Sequence, residues 1–215
     1  MLEDSFMFLK QMEVGHLAVY AYVVGDTDAG EALVIDPADN VDGIINKAQD
    51  NGLKIRYIVN THGHVDHISG NTEMKKKTGA SIIIHEDDAD MLVSTPPMIF
   101  RMFGANQSPP TDITVKDGDR IAIGGISLLV LHTPGHSAGS MSLYTDSAVF
   151  TGDTLFVGAV GRTDLPGGSW KVMSRSIQSK LCTLPPDTRV FPGHNYGSSP
   201  TSTIGHEMRT NPFLR

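Results

Sequence analysis

Hydrophobic and polar residues alternate in short runs along most of the chain, and amphipathic stretches at helical spacing separate those runs. Residues 6–9, 17–24 and 32–35 read as consecutive strands, parted by turn residues such as Gly25-Asp26 and Asp28-Ala29-Gly30. Asn40 is placed to cap a helix whose Val41, Ile44, Ile45 and Ala48 share one face and which Asn51-Gly52 closes. Residues 55–59 form a strand that runs straight into a histidine-rich segment; a helix then ends at Thr78-Gly79, and residues 81–84 are the next strand. In the second half, strands at 111–115, 120–123, 126–131, 140–144 and 148–150 follow in quick succession, with Asp117-Gly118 and Gly124-Gly125 as hairpin turns. Ser169 caps a helix with Trp170, Met173, Ile177 and Leu181 on one stripe, residues 189–191 form a last short strand, and residues 203–209 a last helix. The two halves repeat one grammar, strands first and helices at matching places. That pattern predicts two sheets packed face to face with helices outside: an α+β chain built as a four-layer αβ/βα sandwich, with residues 1–215 as a single domain.

Residues 94–110 stand apart, because Pro96, Pro97, Pro109 and Pro110 bracket Met98, Ile99, Phe100, Met102 and Phe103. Two readings stay open for them: an adaptable apolar flap, or a short helix packed on the core or on a second copy. Charge narrows the partners. The net charge is -7, and the one basic run, Lys75-Lys76-Lys77, reads as the solvated face of a helix, so no nucleic-acid partner is expected. A single cysteine, Cys182, excludes an intramolecular disulfide and fits a reducing compartment. The first residues lack a basic segment followed by an apolar one, and no apolar run approaches the roughly 20 residues of a membrane span. A soluble cytoplasmic protein without a membrane partner is expected, its oligomeric state open.

Candidate chemistry concentrates at residues 61–67, Thr-His-Gly-His-Val-Asp-His. Three imidazoles and a carboxylate so close together make a poor core but suit one or two divalent ions. His62 and His64, parted by Gly63 alone, can turn both rings toward one ion, and Asp66 and His67 then face a neighbouring position. The zincin helix pattern needs two His four apart with Glu after the first, and a zinc finger needs more than one Cys; neither is present. Three more ligand-type residues, His136, Asp153 and His194, each follow a glycine in a turn after an expected strand. His16, His85, His132 and His206 read as structural or solvent-facing, with His132 a candidate to support a ligand from behind. Asp36, at a strand end before Pro37, is either a turn residue or the group that orients a ligand histidine.

With these residues in place, the chain resembles the metallo-β-lactamase superfamily over nearly its whole length. The resemblance implies that His62, His64 and His136 hold a first ion, that Asp66, His67 and His194 hold a second, and that Asp153 bridges them. It further implies two divalent ions, zinc first with iron or manganese as alternatives, and a bridging hydroxide as nucleophile, with Asp66 orienting it and taking a proton. Within the superfamily, Thr151-Gly152-Asp153-Thr154-Leu155-Phe156 and Gly193-His194-Asn195-Tyr196 resemble the glyoxalase II group, which hydrolyses thioesters of glutathione. That likeness implies a small-molecule substrate of the glutathione-thioester type, with Arg162 and Tyr196 as its contacts, although Asp164 stands where the group tends to carry an aromatic residue. An ion pair with Asp164 is the competing role for Arg162. The true lactamases usually lack an aspartate at the bridging position, which argues against antibiotic hydrolysis. Two other activities of the superfamily stay in view: a persulfide dioxygenase with one iron on His62, His136 and Asp153, for which Gly161-Arg162-Thr163-Asp164 is also a likeness, and a lactonase using all seven ligands.

Overall fold

The computed structural model describes residues 7–145 and 147–214. Phe6, where the first expected strand begins, lies outside the described residues. The first half of the chain contributes β1 (Met7–Val14), β2 (Val19–Asp26), β3 (Glu31–Ile35), α1 (Val41–Gln49), β4 (Lys54–Val59), α2 (Val65–Ile68), α3 (Asn71–Thr78), β5 (Ser81–His85), α4 (Met91–Ser94), α5 (Pro97–Met102) and β6 (Ile113–Val115). The second half contributes β7 (Arg120–Ile123), β8 (Ile126–His132), β9 (Met141–Thr145), β10 (Ala148–Gly152), β11 (Leu155–Phe156), β12 (Ala159–Val160), α6 (Trp170–Ser176), β13 (Arg189–Pro192), β14 (Ser202–Thr203) and α7 (Ile204–Thr210). One six-stranded sheet runs β1-β2-β3-β4-β5-β6 and another β14-β13-β10-β9-β8-β7, with β11 and β12 as a separate hairpin.

Side-chain alternation along the strands builds the layers. In β2, Val19, Ala21 and Val23 face one side, where they meet Ile44 of α1 and Met74 of α3, while Tyr20, Tyr22 and Val24 face the other. That second side is shared with the other sheet: Leu33, Ile35 and Val59 pack there with Leu128, Val130, Leu143, Phe150 and Phe191. The opposite face of the second sheet, with Leu131, Val149 and Val190, covers Met173, Ile177 and Leu181 of the segment that begins with α6. Each fully buried aliphatic or aromatic side chain in these layers contributes roughly 1.5–3 kcal/mol. The result is the four-layer αβ/βα sandwich that the pattern predicts.

Several local expectations need correction. Gly25 and Asp26 continue β2, pairing with Ala32 and Glu31 of β3, so the turn starts two residues later, at Thr27. Asn40 precedes α1 in a left-handed conformation and makes no side-chain capping bond, whereas Ser169 does cap α6, accepting from Val172 N at 3.4 Å. The α6 helix continues through Ile177–Leu181 as a π-helical segment. The 94–110 stretch forms α5, whose Phe100 is buried in the first core while Met98, Met102 and Phe103 stay exposed, which favours a short helix packed on the core. Lys75 and Lys77 pair with Asp112, Asp42 and Glu73 on the surface, as a solvated helix face should.

Strand direction is what places the chemistry. β3, β4, β5 and β6 run parallel, as do β10 and β13, and their carboxyl ends lead directly into the polar loops. Tyr22 locks the two sheets there: its ring packs against Phe150 and Phe191, and its hydroxyl donates to Pro192 O at 2.5 Å, two residues before His194. Tyr22→Phe therefore leaves a buried carbonyl without that donor and should lower unfolding free energy by about 1–3 kcal/mol, read as a reduced urea midpoint at unchanged slope.

Candidate metal centre

Four strand ends deliver the candidate ligands to one place. After β4 the chain turns at Asn60 and Thr61, presents His62 and His64, and enters α2, which the sequence pattern did not predict and which carries Asp66 and His67. His136 follows β8, Asp153 follows β10, and His194 follows β13. Glycines permit the close fit. Gly152 has φ 49°, and a Cβ on Gly193 would lie 2.2 Å from Asp153 Oδ1.

All seven predicted ligand residues converge. Donor atoms of His62, His64 and His136 lie within 4.8 Å of one another; so do those of Asp66, His67 and His194, and those of His62, His67 and Asp153. His64 Nδ1 is 2.8 Å from His136 Nε2, and His67 Nε2 is 3.1 Å from His194 Nε2. Asp153 stands between the groups, with Oδ1 3.3 Å from His67 Nε2 and Oδ2 3.5 Å from His136 Nε2 and 3.3 Å from His194 Nε2. Two ligands held at 2.0–2.1 Å by a tetrahedral ion are about 3.3 Å apart, so these spacings are those of ligand sets. His62 Nε2 and Asp153 Oδ1 are also buried and make no hydrogen bond. Leaving such atoms unpaired costs about 1–3 kcal/mol each, and a cation between the sets would satisfy both. The residues present fit two metal ions.

Four of the five candidate ligand histidines have the outer nitrogen engaged, which aims the inner one at the cavity. His67 Nδ1 donates to Asp36 Oδ2 at 2.9 Å, His136 Nδ1 to Arg162 O at 2.7 Å, and His194 Nδ1 to Leu17 O at 2.8 Å. His62 Nδ1 meets Thr61 Oγ1 at 3.1 Å, and that hydroxyl donates to Asp36 Oδ2 at 2.6 Å. Asp36 thus orients a ligand, the second of its two sequence readings, and takes Thr61 N at 2.8 Å as well.

Electrostatics inside the cluster favour added positive charge. Burial pushes the His62 imidazole well below its usual range, with the neighbouring His67, His136 and His64 adding to it; His64 falls to about 4 by burial and the nearby His136. Burial also opposes charge on His67 and His194, but the carboxylates win: Asp153, Asp66 and Asp36 raise His67 well above 6.5, and Asp153 and Asp66 raise His194 to about 9. Asp153 and Asp66 are held ionised against the effect of burial, chiefly by His67 and His194. The His67–His194 pair, whose Nε2 atoms are 3.1 Å apart, therefore favours bound positive charge where ring nitrogens would ligate a metal.

One residue that sequence reasoning missed holds the loops together. Asp88, fully buried just after β5, accepts from Gly63 N at 2.9 Å and Ser137 Oγ and Gly139 N at 2.6 Å, tying the 61–67 loop to the 136–140 loop. Its one signal is position, since it follows a parallel strand as Asp36 does. Buried Glu207 of α7 accepts from Gly158 N at 2.9 Å and Asn211 Nδ2 at 2.8 Å, which fixes the β11–β12 hairpin over the cavity. His85 and His132 stack at 3.9 Å, and His132 Nε2 donates to Ala138 O, so His132 supports the loop of His136. His16 and His206 are exposed.

The cavity in front of the ligands has a volume of about 580 Å³ and reaches Arg162 and Tyr196. Tyr196 lies flat on the His194 ring at 4.5 Å. Arg162 lines this cavity and pairs with Asp164 through two bonds of 2.7 and 2.8 Å, the ion pair that was its competing role.

A family model for the metallo-beta-lactamase superfamily matches residues 14–194, which span every candidate ligand. The chain belongs to the metallo-β-lactamase superfamily. Among its relatives in this superfamily is the human mitochondrial persulfide dioxygenase ETHE1, 32% identical over 97% of this chain and 76% of that protein. The crystal structure of the BLEG-1 B3 metallo-beta-lactamase superposes with a TM-score of 0.86 at 33% identity, covering 96% of this chain and 99% of the other. That of TTHA1623 in a di-iron-bound form gives 0.82 at 35% identity, covering 95% and 100%. Members of this superfamily are metal-dependent enzymes, and the His/Asp clusters here are of that type.

Two outcomes follow. Metal uptake at pH 7 should release protons from the His67–His194 pair, and apparent affinity should weaken as pH falls below about 9, where proton binding to His194 competes. Calorimetric titration in buffers of different ionisation enthalpy measures this, and zero release would contradict it. Asp36→Asn, which places a donor opposite two donors, should weaken metal affinity by about 10- to 100-fold while the folded far-UV spectrum persists.

Proposed function

We propose that the protein is a dinuclear metal-dependent hydrolase that cleaves a thioester of a small polar thiol, with glutathione as the leading candidate. One observation carries the reading: Asp153 sits between two complete sets, with His62, His64 and His136 on one side and Asp66, His67 and His194 on the other. Zinc is the first expectation for both positions; the di-iron form of a relative supports iron as an alternative, and manganese would suit the same donors. When bound, such ions lower the pKa of a water toward about 7 and polarise a carbonyl.

The protein's own groups do the rest. Asp66, part-exposed to the cavity and held ionised, orients a water there and accepts its proton as the water oxygen bonds to the thioester carbon; the C–S bond then breaks and the proton passes from Asp66 to the departing thiolate. Phe156, Ala159 and Val160 wall the cavity and limit bulk water beside the ligands. Tyr196 and Arg162 line the same cavity and are assigned to the thiol arm, for which Arg162 offers a planar fork to a carboxylate. Asp164 already occupies that fork. A substrate carboxylate competes with it for the guanidinium, so Asp164→Asn should lower KM for a glutathione thioester several-fold with little change in kcat, and Arg162→Ala should raise it.

A second reading, a persulfide dioxygenase with one iron on His62, His136 and Asp153, draws support from the human relative. Metal analysis of the purified protein, paired with hydrolysis of S-lactoylglutathione and oxygen uptake on glutathione persulfide, separates the two. Close to two ions per chain with thioester hydrolysis is expected; one iron with oxygen consumption would replace it by the second reading. Asp153→Ala should empty both positions, and full metal content in that variant would overturn the shared-carboxylate arrangement.

A further inference from the structure

Two cavities meet at Asp66. The larger is the one that holds the candidate ligands, with Arg162 and Tyr196 at its far side. The smaller has a volume of about 230 Å³; Val14, Val19, Ala38 and Met102 line it alone, while Leu17, Phe103 and Asp66 line both. Its polar groups besides Asp66 are the exposed His16 and Asp39. Leu17, at the tip of the β1–β2 turn, and Phe103, just after α5, are each about two-fifths exposed, at 43% and 41%, so apolar surface lies open on both sides of the junction.

A thioester presents two arms on one carbonyl carbon, a polar thiol arm and an acyl arm. The cavity with Arg162 suits the first. We propose that the smaller cleft takes the apolar carbon chain of the acyl group, which makes the protein an acyl hydrolase selective for chains longer than acetyl; this rests on the hydrolase reading above. Two features carry it: the cleft adjoins the ligand-bearing cavity, sharing Leu17, Asp66 and Phe103 with it, and its walls include aliphatic, thioether and aromatic side chains that gain by covering methylenes. At about 30 Å³ for each displaced water, the cleft has room for several chain carbons. Met102, 77% exposed on the outer wall, can shift to fit chains of different length.

The test measures binding of acetate, butyrate and hexanoate to the metal-loaded protein by calorimetry, with rates of the matching acylglutathiones alongside. Each buried methylene should lower the dissociation constant by about fourfold. Ala38→Phe, which fills the cleft, and Met102→Asp, which charges its wall at an exposed position, should both flatten the series. Equal affinity for the three acids in the unaltered protein, or a steep series that survives in Met102→Asp, would overturn the cleft assignment. A steep acid series with no turnover of any thioester overturns the thioesterase and leaves the cleft standing. Thioester turnover at equal kcat/KM beside a flat acid series does the reverse.

Discussion

The Asp36 carboxylate, buried at the end of β3, accepts hydrogen bonds from Thr61 N, Thr61 Oγ1 and His67 Nδ1. Its backbone sits in the left-handed region, φ 48°, at a cost of roughly 1–2 kcal/mol that aspartate tolerates better than most residues. Hydrogen bonds to a charged acceptor contribute about 1.5–3 kcal/mol each, so three of them outweigh the strain. Through those bonds one carboxylate sets where the segment after β4 begins, which way the His67 ring points and, by way of Thr61, how His62 is turned. The remaining candidate ligands are placed relative to that segment.

Packing that many ionisable groups into a buried space is unfavourable unless something fixes them. Here the rigid elements are strand ends, and the fixing groups are other strand ends: Asp88 after β5, Leu17 O before β2 and Arg162 O after β12. The two sheets cannot slide without breaking these bonds, because Tyr22 anchors the β13 end from the opposite sheet. Precision at the centre and cohesion of the sandwich therefore come from the same contacts. Fewer constraints act on the outer wall, where Met102 ends a short helix and Phe103 follows it, both exposed.

Much of this was legible in the order of residues. The short apolar runs of β2, β3 and β8, bounded by turn residues, mark strands buried on both faces, and the pattern repeats in each half, which is why the layered fold could be expected. The seven ligand-type residues were legible because His and Asp beside glycine, just beyond a strand, have few other uses. Three features were not. α2 is too short for periodicity to register, yet it puts Asp66 and His67 on the cavity side. Asp88 and Glu207 act by accepting main-chain and side-chain hydrogen bonds from residues 25 to 51 positions away, and an isolated carboxylate carries no mark of that. The left-handed Asn40, which makes no cap, shows that a capping residue type does not ensure a capping bond.

The candidate ligands are divided between the sheets. His62, His64, Asp66 and His67 follow β4 of the first, and His136, Asp153 and His194 follow β8, β10 and β13 of the second. Any cation bound by both groups is consequently a rivet through the seam of the sandwich, and the unfolded chain has no equivalent to offer it. Free ion at a thousand times its dissociation constant adds about 4 kcal/mol to the folded state. The durability of this protein would then track the supply of metal around it, so that scarcity loosens the two layers as well as silencing the chemistry between them.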